Sequence, residues 1–174
     1  PAHARPLYRT ERRFANQELE KSLKIIADCI NAEPDEIFFT SCGTESDNWV
    51  LEYAGEHNYR ILTTTIEHHA VLNKCRQLQS RGNEVSYIPT DSKGVVDLKL
   101  LEGNIEPYHS LISVMYANNE VGTIEPIEKI AKIAKKYHVL LHTDAVQAFC
   151  HVPINVEKTE IDFLSASGHK LHGP

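Results

Sequence analysis

The chain has 174 residues, of which 41% are hydrophobic, and a formal net charge of −6. This is the composition of an ordinary globular domain with its own core. The chain has no basic stretch, which argues against nucleic acid as a partner. It has no apolar run of membrane-spanning length, so no membrane segment is predicted.

Residues 1–10 are polar without a period and are predicted to be a loosely held lead-in. From about residue 11 to residue 32 the pattern is helical, with one apolar face formed by Leu19, Leu23, Ile26 and Ile30. Residues 36–40 include three consecutive apolar residues and predict a strand that is covered on both faces.

A small polar turn, Ser41 to Thr44, follows this strand and leads into a helix that ends near Ala54. The free N–H groups and the dipole of a helix N-terminus favour an anion. The Thr44 hydroxyl adds a donor, so the turn is a candidate phosphate cradle. A simple helix cap made by Ser41 or Thr44 explains the same residues equally well.

The rest of the chain alternates between predicted strands and predicted helices. Strands are predicted at residues 60–65, 84–88, 110–116, 139–143 and 161–164, and helices at about 69–81, 97–103 and 126–138. Such alternation is typical of an α/β fold with a mostly parallel sheet and helices on both faces. Ligands of such sheets bind outside the carboxyl ends of the strands.

Polar clusters follow five of the predicted strands. They are Ser41–Thr44, His68, Asn119, Asp144–Gln147 and Ser167–Lys170. Because the carboxyl ends of parallel strands lie at one edge, we expect these clusters to converge there. Each cluster alone is also consistent with an ordinary turn or cap, but five at one edge indicate a binding site.

Lys170 follows an apolar strand and a run of small polar residues, so its amine suits two chemistries. It can pair with a phosphate, or it can attack a carbonyl and form a Schiff base. Schiff-base formation requires that the pKa of the lysine amine is lowered by desolvation or by nearby positive charge. The apolar strand could supply the first and His169 the second. A surface lysine in a polar turn is the alternative.

The thiols and imidazoles predict no further chemistry. The cysteines are Cys29, Cys42, Cys75 and Cys150, far apart and without a CxxC pair. Reduced thiols in a cytoplasmic protein are therefore expected. The chain has ten histidines, including His68-His69, His142 and His169-x-x-His172, but none at the spacing of a helical metal motif. No metal site is predicted.

An anion cradle, a lysine, an aspartate and a glutamine together suit a ligand with a phosphate, an aldehyde and a nitrogen-containing aromatic ring. Pyridoxal 5′-phosphate has all three, and its ring acts as an electron sink. The chain also resembles a known family in several motifs. They are Thr-Ser-Cys-Gly-Thr-Glu-Ser at 40–46, Glu67-His68, Asn-Asn-Glu-Val-Gly at 118–122, His-Thr-Asp-Ala-Val-Gln at 142–147 and Ser-Ala-Ser-Gly-His-Lys-Leu-His-Gly-Pro at 165–174. Together they look like the cysteine desulfurases of the NifS/IscS type, which are class V aminotransferase relatives and fold-type I pyridoxal-phosphate enzymes.

The resemblance implies a role for each residue. Lys170 carries the cofactor as a Schiff base and later moves protons, while Asp144 pairs with the pyridine nitrogen and Gln147 bonds the phenolic oxygen. His68 stacks on the ring and is an acid–base group, and Asn119 contacts the cofactor–substrate adduct. The phosphate is held by Gly43, Thr44, Ser167 and His169. One departure is Cys42-Gly43-Thr44 in place of the more common Gly-Ala-Thr.

The resemblance also implies an activity and its partners: conversion of L-cysteine to L-alanine, with sulfur passed as an enzyme persulfide to an acceptor or an iron–sulfur scaffold. It implies a homodimer. Residues 1–174 are expected to be part of the large cofactor domain, without its beginning and without the small domain. The family's nucleophilic cysteine and its carboxylate-binding arginine are expected after residue 174. A selenocysteine lyase, another class V relative and a non-catalytic cofactor-binding or His-rich metal-binding module are the alternatives.

Overall fold

The computed structural model describes the backbone of residues 4–173 and contains a five-stranded sheet with helices on both faces. The helices are α1 Ala4–Ile30, α2 Gly43–Glu56, α3 His69–Ser80, α4 Leu98–Gly103, α5 Ile127–Tyr137 and α6 Val156–Thr159. The strands are β1 Arg60–Thr64, β2 Val85–Ile88, β3 Ser110–Ser113, β4 Leu140–Asp144 and β5 Phe163–Ser165. Two 3-10 helices span Pro34–Glu36 and Gly168–Leu171.

All strand pairs in the sheet are parallel, in the order β2-β1-β3-β4-β5. The predicted α/β fold class is therefore confirmed. Neighbouring residues of one strand face opposite sides, as Ile61 and Leu62 show. Ile61 packs with α2 and α3, whereas Leu62 packs with α4 and α5. This double cover explains why the strands read as nearly continuous apolar runs.

Helix α1 begins earlier than the sequence predicts. It starts at Ala4, so the expected lead-in over residues 1–10 is wrong for residues 4–10, and residues 1–3 lie outside the described part. The predicted apolar face of α1 is only partly buried. Ile30 packs against the chain that follows β4, but Leu19 is exposed. Packing therefore anchors this helix by its carboxyl-terminal half.

The predicted strand at residues 36–40 is wrong. The 3-10 helix Pro34–Glu36 is followed by extended chain that pairs with none of the described strands. Phe38 and Phe39 are 70% and 59% exposed, and Phe38 contacts Trp49 edge to face at 6.1 Å between ring centroids. An apolar run becomes a strand only where another strand supplies hydrogen-bond partners, and none of the described strands lies beside this segment.

Among the described residues, no helix combines the length and the apolar character that are needed to cross a bilayer. From residue 12 onward, most residues of helix α1 are exposed.

Candidate active site

The amino-terminal end of α2 is open to an anion. Cys42 is the residue before the helix, and its side chain makes no capping hydrogen bond. The predicted alternative, a cap by Ser41 or Thr44, is therefore wrong. The Ser41 backbone N–H donates to Glu45 Oε2 at 2.5 Å, which fixes the turn without covering the first N–H groups of the helix. This end of α2 keeps donors available for a negatively charged group.

Gly43 brings this helix end close to two other polar clusters. A Cβ atom at Gly43 would lie 3.0 Å from Val146 Cγ2 and 3.7 Å from Ser167 Cβ. The first distance is tighter than nine in ten real Cβ contacts, so a Cβ here would require the Val146 methyl group to move by a few tenths of an ångström. The cradle, the segment after β4 and the segment after β5 therefore meet at one point.

The segment after β1 places one imidazole at the same edge of the sheet. His68 precedes α3, is exposed, and accepts a hydrogen bond at Nδ1 from the Ala70 N–H at 3.1 Å. In its neutral form the ring therefore carries its proton on Nε2. His68 is also close enough to lower the pKa of Asp144.

Glu67 holds this segment in place from inside the core. Its Oε1 accepts from the Thr64 hydroxyl at 2.6 Å, and both carboxyl oxygens accept from the Met115 N–H at 3.1 and 3.0 Å. Complete burial raises the pKa of Glu67 to about 8, against the effect of these donors. A buried carboxyl thus ties the end of β1 to the end of β3.

Asp144 is the last residue of β4 and is nearly buried. Its Oδ1 accepts from the Val146 N–H at 2.9 Å. Burial raises the pKa of this carboxyl, while the Val146 N–H and His68 act in the opposite direction. Gln147 follows in the same turn and is half-buried.

The two asparagines after β3 differ in burial. Asn118 is buried; its Nδ2 donates to the Ile66 carbonyl at 2.9 Å, and its Oδ1 accepts from the N–H groups of Glu120 and Val121. Asn119 is exposed, so its amide is free to meet a ligand. Asn118 shapes the loop that presents Asn119.

The segment after β5 carries the remaining predicted residues. The Ser167 hydroxyl and His169 Nδ1 lie 2.7 Å apart, next to the short 3-10 helix that contains Lys170. Lys170 is exposed. The described residues therefore do not desolvate the amine as the sequence pattern predicts.

Sequence reasoning missed two residues that lie beneath this edge, Asp47 and, as part of the site, His142. Both are buried, and Asp47 Oδ1 lies 3.6 Å from His142 Nε2. The signals were present in the chain: His142 is two residues before Asp144 on a strand, and Asp47 is four residues after Gly43 on a helix. Each spacing puts both residues on one face. Within the described chain, no three His, Cys, Asp or Glu residues form a metal-binding group.

Comparison with known proteins agrees with this geometry. Residues 4–174 match the family described as Aminotransferase class-V. The chain therefore belongs to the class V aminotransferase family.

Within that family its relatives are cysteine desulfurases. The chain is 50% identical over 155 residues to cysteine desulfurase IscS of Methanosarcina thermophila, covering 87% of this chain and 38% of that protein. It matches the structure of a NifS-like protein with a TM-score of 0.86 and 46% identity, covering 92% of this chain and 46% of the other. It matches SspA in complex with cysteine with a TM-score of 0.89 and 38% identity, covering 95% of this chain and 49% of the other. The chain thus spans less than half the length of these relatives.

Proposed function

We propose that this chain forms most of the large cofactor domain of a pyridoxal-phosphate-dependent cysteine desulfurase. The activity is conversion of L-cysteine to L-alanine, with the sulfur kept as an enzyme persulfide for iron–sulfur cluster assembly or a related transfer. The observation that carries the proposal is the meeting of α2 with the segments after β4 and β5, which brings an anion cradle to the same edge as Asp144 and Lys170. The relatives named as cysteine desulfurases support the same conclusion.

The hydrogen-bonding groups at this edge of the sheet fit pyridoxal phosphate. When bound, pyridoxal phosphate supplies an aldehyde for covalent attachment and a ring that withdraws electrons from the substrate. Its phosphate would be held by the first N–H groups of α2 and by the hydroxyls of Thr44 and Ser167. His169, bonded to Ser167, adds a further polar contact.

The remaining residues would act on the ring and on protons. Asp144 would pair with the protonated ring nitrogen, and Gln147 would bond the phenolic oxygen from the same turn. His68, with Nδ1 occupied by the Ala70 N–H, would stack on the ring and move a proton at Nε2. Asn119 would contact the bound substrate. Lys170 is exposed at the edge, so its amine is free for covalent attachment.

The experiment that tests this function uses borohydride. Reduction of the yellow holoprotein is expected to fix the cofactor on Lys170 as the only labelled peptide. Lys170→Ala is expected to abolish that label, while Lys132→Ala, an exposed lysine on α5, is expected to leave it unchanged. A reduced pyridoxyl group on another lysine in Lys170→Ala would show that the assignment is wrong. A colourless protein that retains zinc or nickel would favour the metal-binding module.

The partners follow from the proposed activity. L-Cysteine is the substrate, and a sulfur acceptor or iron–sulfur scaffold protein receives the persulfide sulfur. A cytoplasmic location agrees with the expected reduced thiols. We also propose a homodimer, for which sedimentation equilibrium of the full-length protein is the measurement; a monomer at high concentration would contradict it.

A further inference from the structure

The turn between β2 and α4 has no part in the proposed function, although its shape is well defined. We call residues 90–96 the Asp91 turn. Asp91 Oδ1 accepts hydrogen bonds from the N–H groups of Lys93 and Val95, at 2.8 and 2.9 Å. The Asp91 N–H donates to the Val95 carbonyl at 2.8 Å. Because these bonds fix the backbone of the turn, its carbonyl and N–H groups can support a neighbouring segment.

The neighbouring segment is the loop after β3 that presents Asn119. We call residues 117–124 the Asn119 loop. The Asn118 N–H donates to the Thr123 carbonyl at 2.9 Å, and the Gly122 N–H donates to the Asn118 carbonyl at 3.1 Å. Asn119 lies between these bonded residues and is exposed. Packing around its own side chain therefore does not fix the Asn119 amide, whose position depends on the backbone of the loop.

Two hydrogen bonds join the Asn119 loop to the Asp91 turn. The Thr123 hydroxyl donates to the Lys93 carbonyl. Glu125, the residue that follows the loop, accepts at Oε2 from the Val96 N–H at 3.0 Å. Glu125 and Val96 are both buried, so removal of this acceptor would leave a buried N–H group without its partner. The loop is therefore held from its outer side by the Asp91 turn.

Gly94 packs the same turn against the loop and against the segment after β1. Its φ of +79° is a backbone conformation that glycine adopts more readily than other residues. A Cβ atom there would lie 3.1 Å from Thr123 Oγ1, 3.3 Å from Val121 Cγ2 and 3.6 Å from Ile66 Cδ1. Ile66 precedes His68 by two residues. The Asp91 turn thus contacts both segments that carry His68 and Asn119.

We propose that the Asp91 turn positions Asn119: its bonds to Thr123 and Glu125, and the close approach of Gly94, hold the Asn119 loop at the height where the amide meets the bound substrate. The inference rests on the proposed function of Asn119 as a substrate contact. The support of the loop by the turn is a property of the apoprotein. The two parts can therefore be tested separately.

The first measurement needs no cofactor. Amide hydrogen exchange is read at Asn118 and Gly122 in the full-length apoprotein, because both N–H groups are bonded within the loop. Thr123→Val removes the hydroxyl that donates to the Lys93 carbonyl, and we expect exchange at both sites to be faster by about fivefold, the effect of one hydrogen bond. Thr123→Ser keeps the donor and is expected to exchange like the wild type. Unchanged exchange in Thr123→Val would overturn the proposal.

The second measurement is the steady-state kinetics of the full-length holoprotein with L-cysteine. Glu125→Ala removes the acceptor for the Val96 N–H, so the loop is no longer fixed to the turn. We expect kcat/KM to fall by about tenfold, mainly through a higher KM, because a substrate contact is misplaced. The dissociation constant of pyridoxal phosphate is expected to stay within about twofold of wild type. A purely structural role would lower stability without raising KM.

Glu125→Gln is the conservative variant for this experiment. Its side-chain carbonyl can still accept from the Val96 N–H, so kcat/KM is expected to return to the wild-type value. If Glu125→Ala does not fold, Thr123→Val takes its place in the kinetic measurement, with a higher KM expected again. A wild-type KM in the variant that is measured would overturn the proposal.

Ser92→Ala is the matched control within the Asp91 turn, because Ser92 is exposed. It is expected to change neither the exchange rates nor KM. Asn119→Ala separates this inference from the proposed function. If Asn119→Ala keeps the wild-type KM, the proposed role of Asn119 is wrong. If Asn119→Ala raises KM while Glu125→Ala does not, the role of Asn119 stands and its positioning by the Asp91 turn is wrong.

Discussion

At the scale of single residues, burial decides which carboxyls of this protein carry charge. Asp47, Glu67 and Asp144 lie within one region at the carboxyl ends of the strands, and burial is the first cause of the raised pKa of each. Of the three, only Asp144 has a neighbouring imidazole, that of His68, that lowers its pKa. Burial therefore disfavours the charged form at all three positions.

Glu67 provides a test of this through the pH dependence of stability. Its pKa is about 8 in the folded state, whereas an unfolded glutamate has a pKa of about 4.3. The folded state therefore binds one more proton between about pH 5 and 8, and its free energy of unfolding falls by about 1.4 kcal/mol per pH unit as the pH rises. We expect Glu67→Gln to remove this slope in urea titrations of the apoprotein.

The control for that slope is Glu106→Gln, because Glu106 is exposed. It is expected to reproduce the wild-type pH dependence. If the curves for Glu67→Gln and wild type run parallel from pH 5 to 8, then Glu67 is ionised in the folded protein and its burial does not control its charge.

At the scale of elements, the position of α2 connects the cradle to the rest of the site. The helix starts at Gly43, directly against Val146 and Ser167, and Asp47 follows one turn later as a buried residue. One helix therefore presents N–H donors to the proposed phosphate and buries a carboxyl under the same edge of the sheet. A small displacement of α2 is expected to affect both.

Gly43→Ala tests this coupling. The new Cβ would lie 3.0 Å from Val146 Cγ2, so the helix end or the turn after β4 has to shift. We expect the free energy of unfolding to fall by about 1 kcal/mol, at the lower end of the cost of overpacking. Cofactor affinity, measured by fluorescence titration, is expected to fall with it.

Gly103→Ala is the matched variant for this experiment. Gly103 ends α4, and a Cβ there meets nothing within 4 Å. Since alanine favours a helix over glycine by up to about 1 kcal/mol, this change is expected to be neutral or stabilising without an effect on cofactor binding. Equal losses of affinity in the two variants would mean that the contact at Gly43 does not matter.

At the scale of the whole molecule, this chain provides the cofactor half of the proposed chemistry. The sulfur half needs a thiolate that reaches the substrate, which depends on placement. Cys75 is buried in α3, and burial raises its pKa to about 12. Cys29 is exposed on α1, and Cys150 is exposed after β4. Cys42 is at the amino-terminal end of α2, on the phosphate side of the proposed site.

We therefore expect residues 1–174, loaded with pyridoxal phosphate, to produce no alanine from L-cysteine above background. Cys42 is the strictest control, because the Glu45 N–H and the Ser41 hydroxyl lower the pKa of its exposed thiol. Cys42→Ser is expected to leave the background rate unchanged. Turnover that depends on Cys42 would contradict the expectation that the nucleophile lies elsewhere.

The parallel fold, the order of its elements and the polar clusters at the strand ends could all be predicted from the sequence. These features depend on local signals, namely apolar runs of strand length, helical periodicity and small polar residues at the joints. The buried face of α3 and the helix that follows the polar turn at Gly43 are two examples.

Tertiary structure alone decided the features that depend on distant neighbours. The segment at residues 36–40 has the pattern of a strand but finds no partner among the described strands. Lys170 follows a strand but lies exposed in a 3-10 helix. The raised pKa of Asp47 and the lowered pKa of His142 arise because α2 buries Asp47 beside His142, which is far away in sequence. Pairing and ionisation follow from surroundings that a chain creates only when it folds, so local patterns cannot specify them.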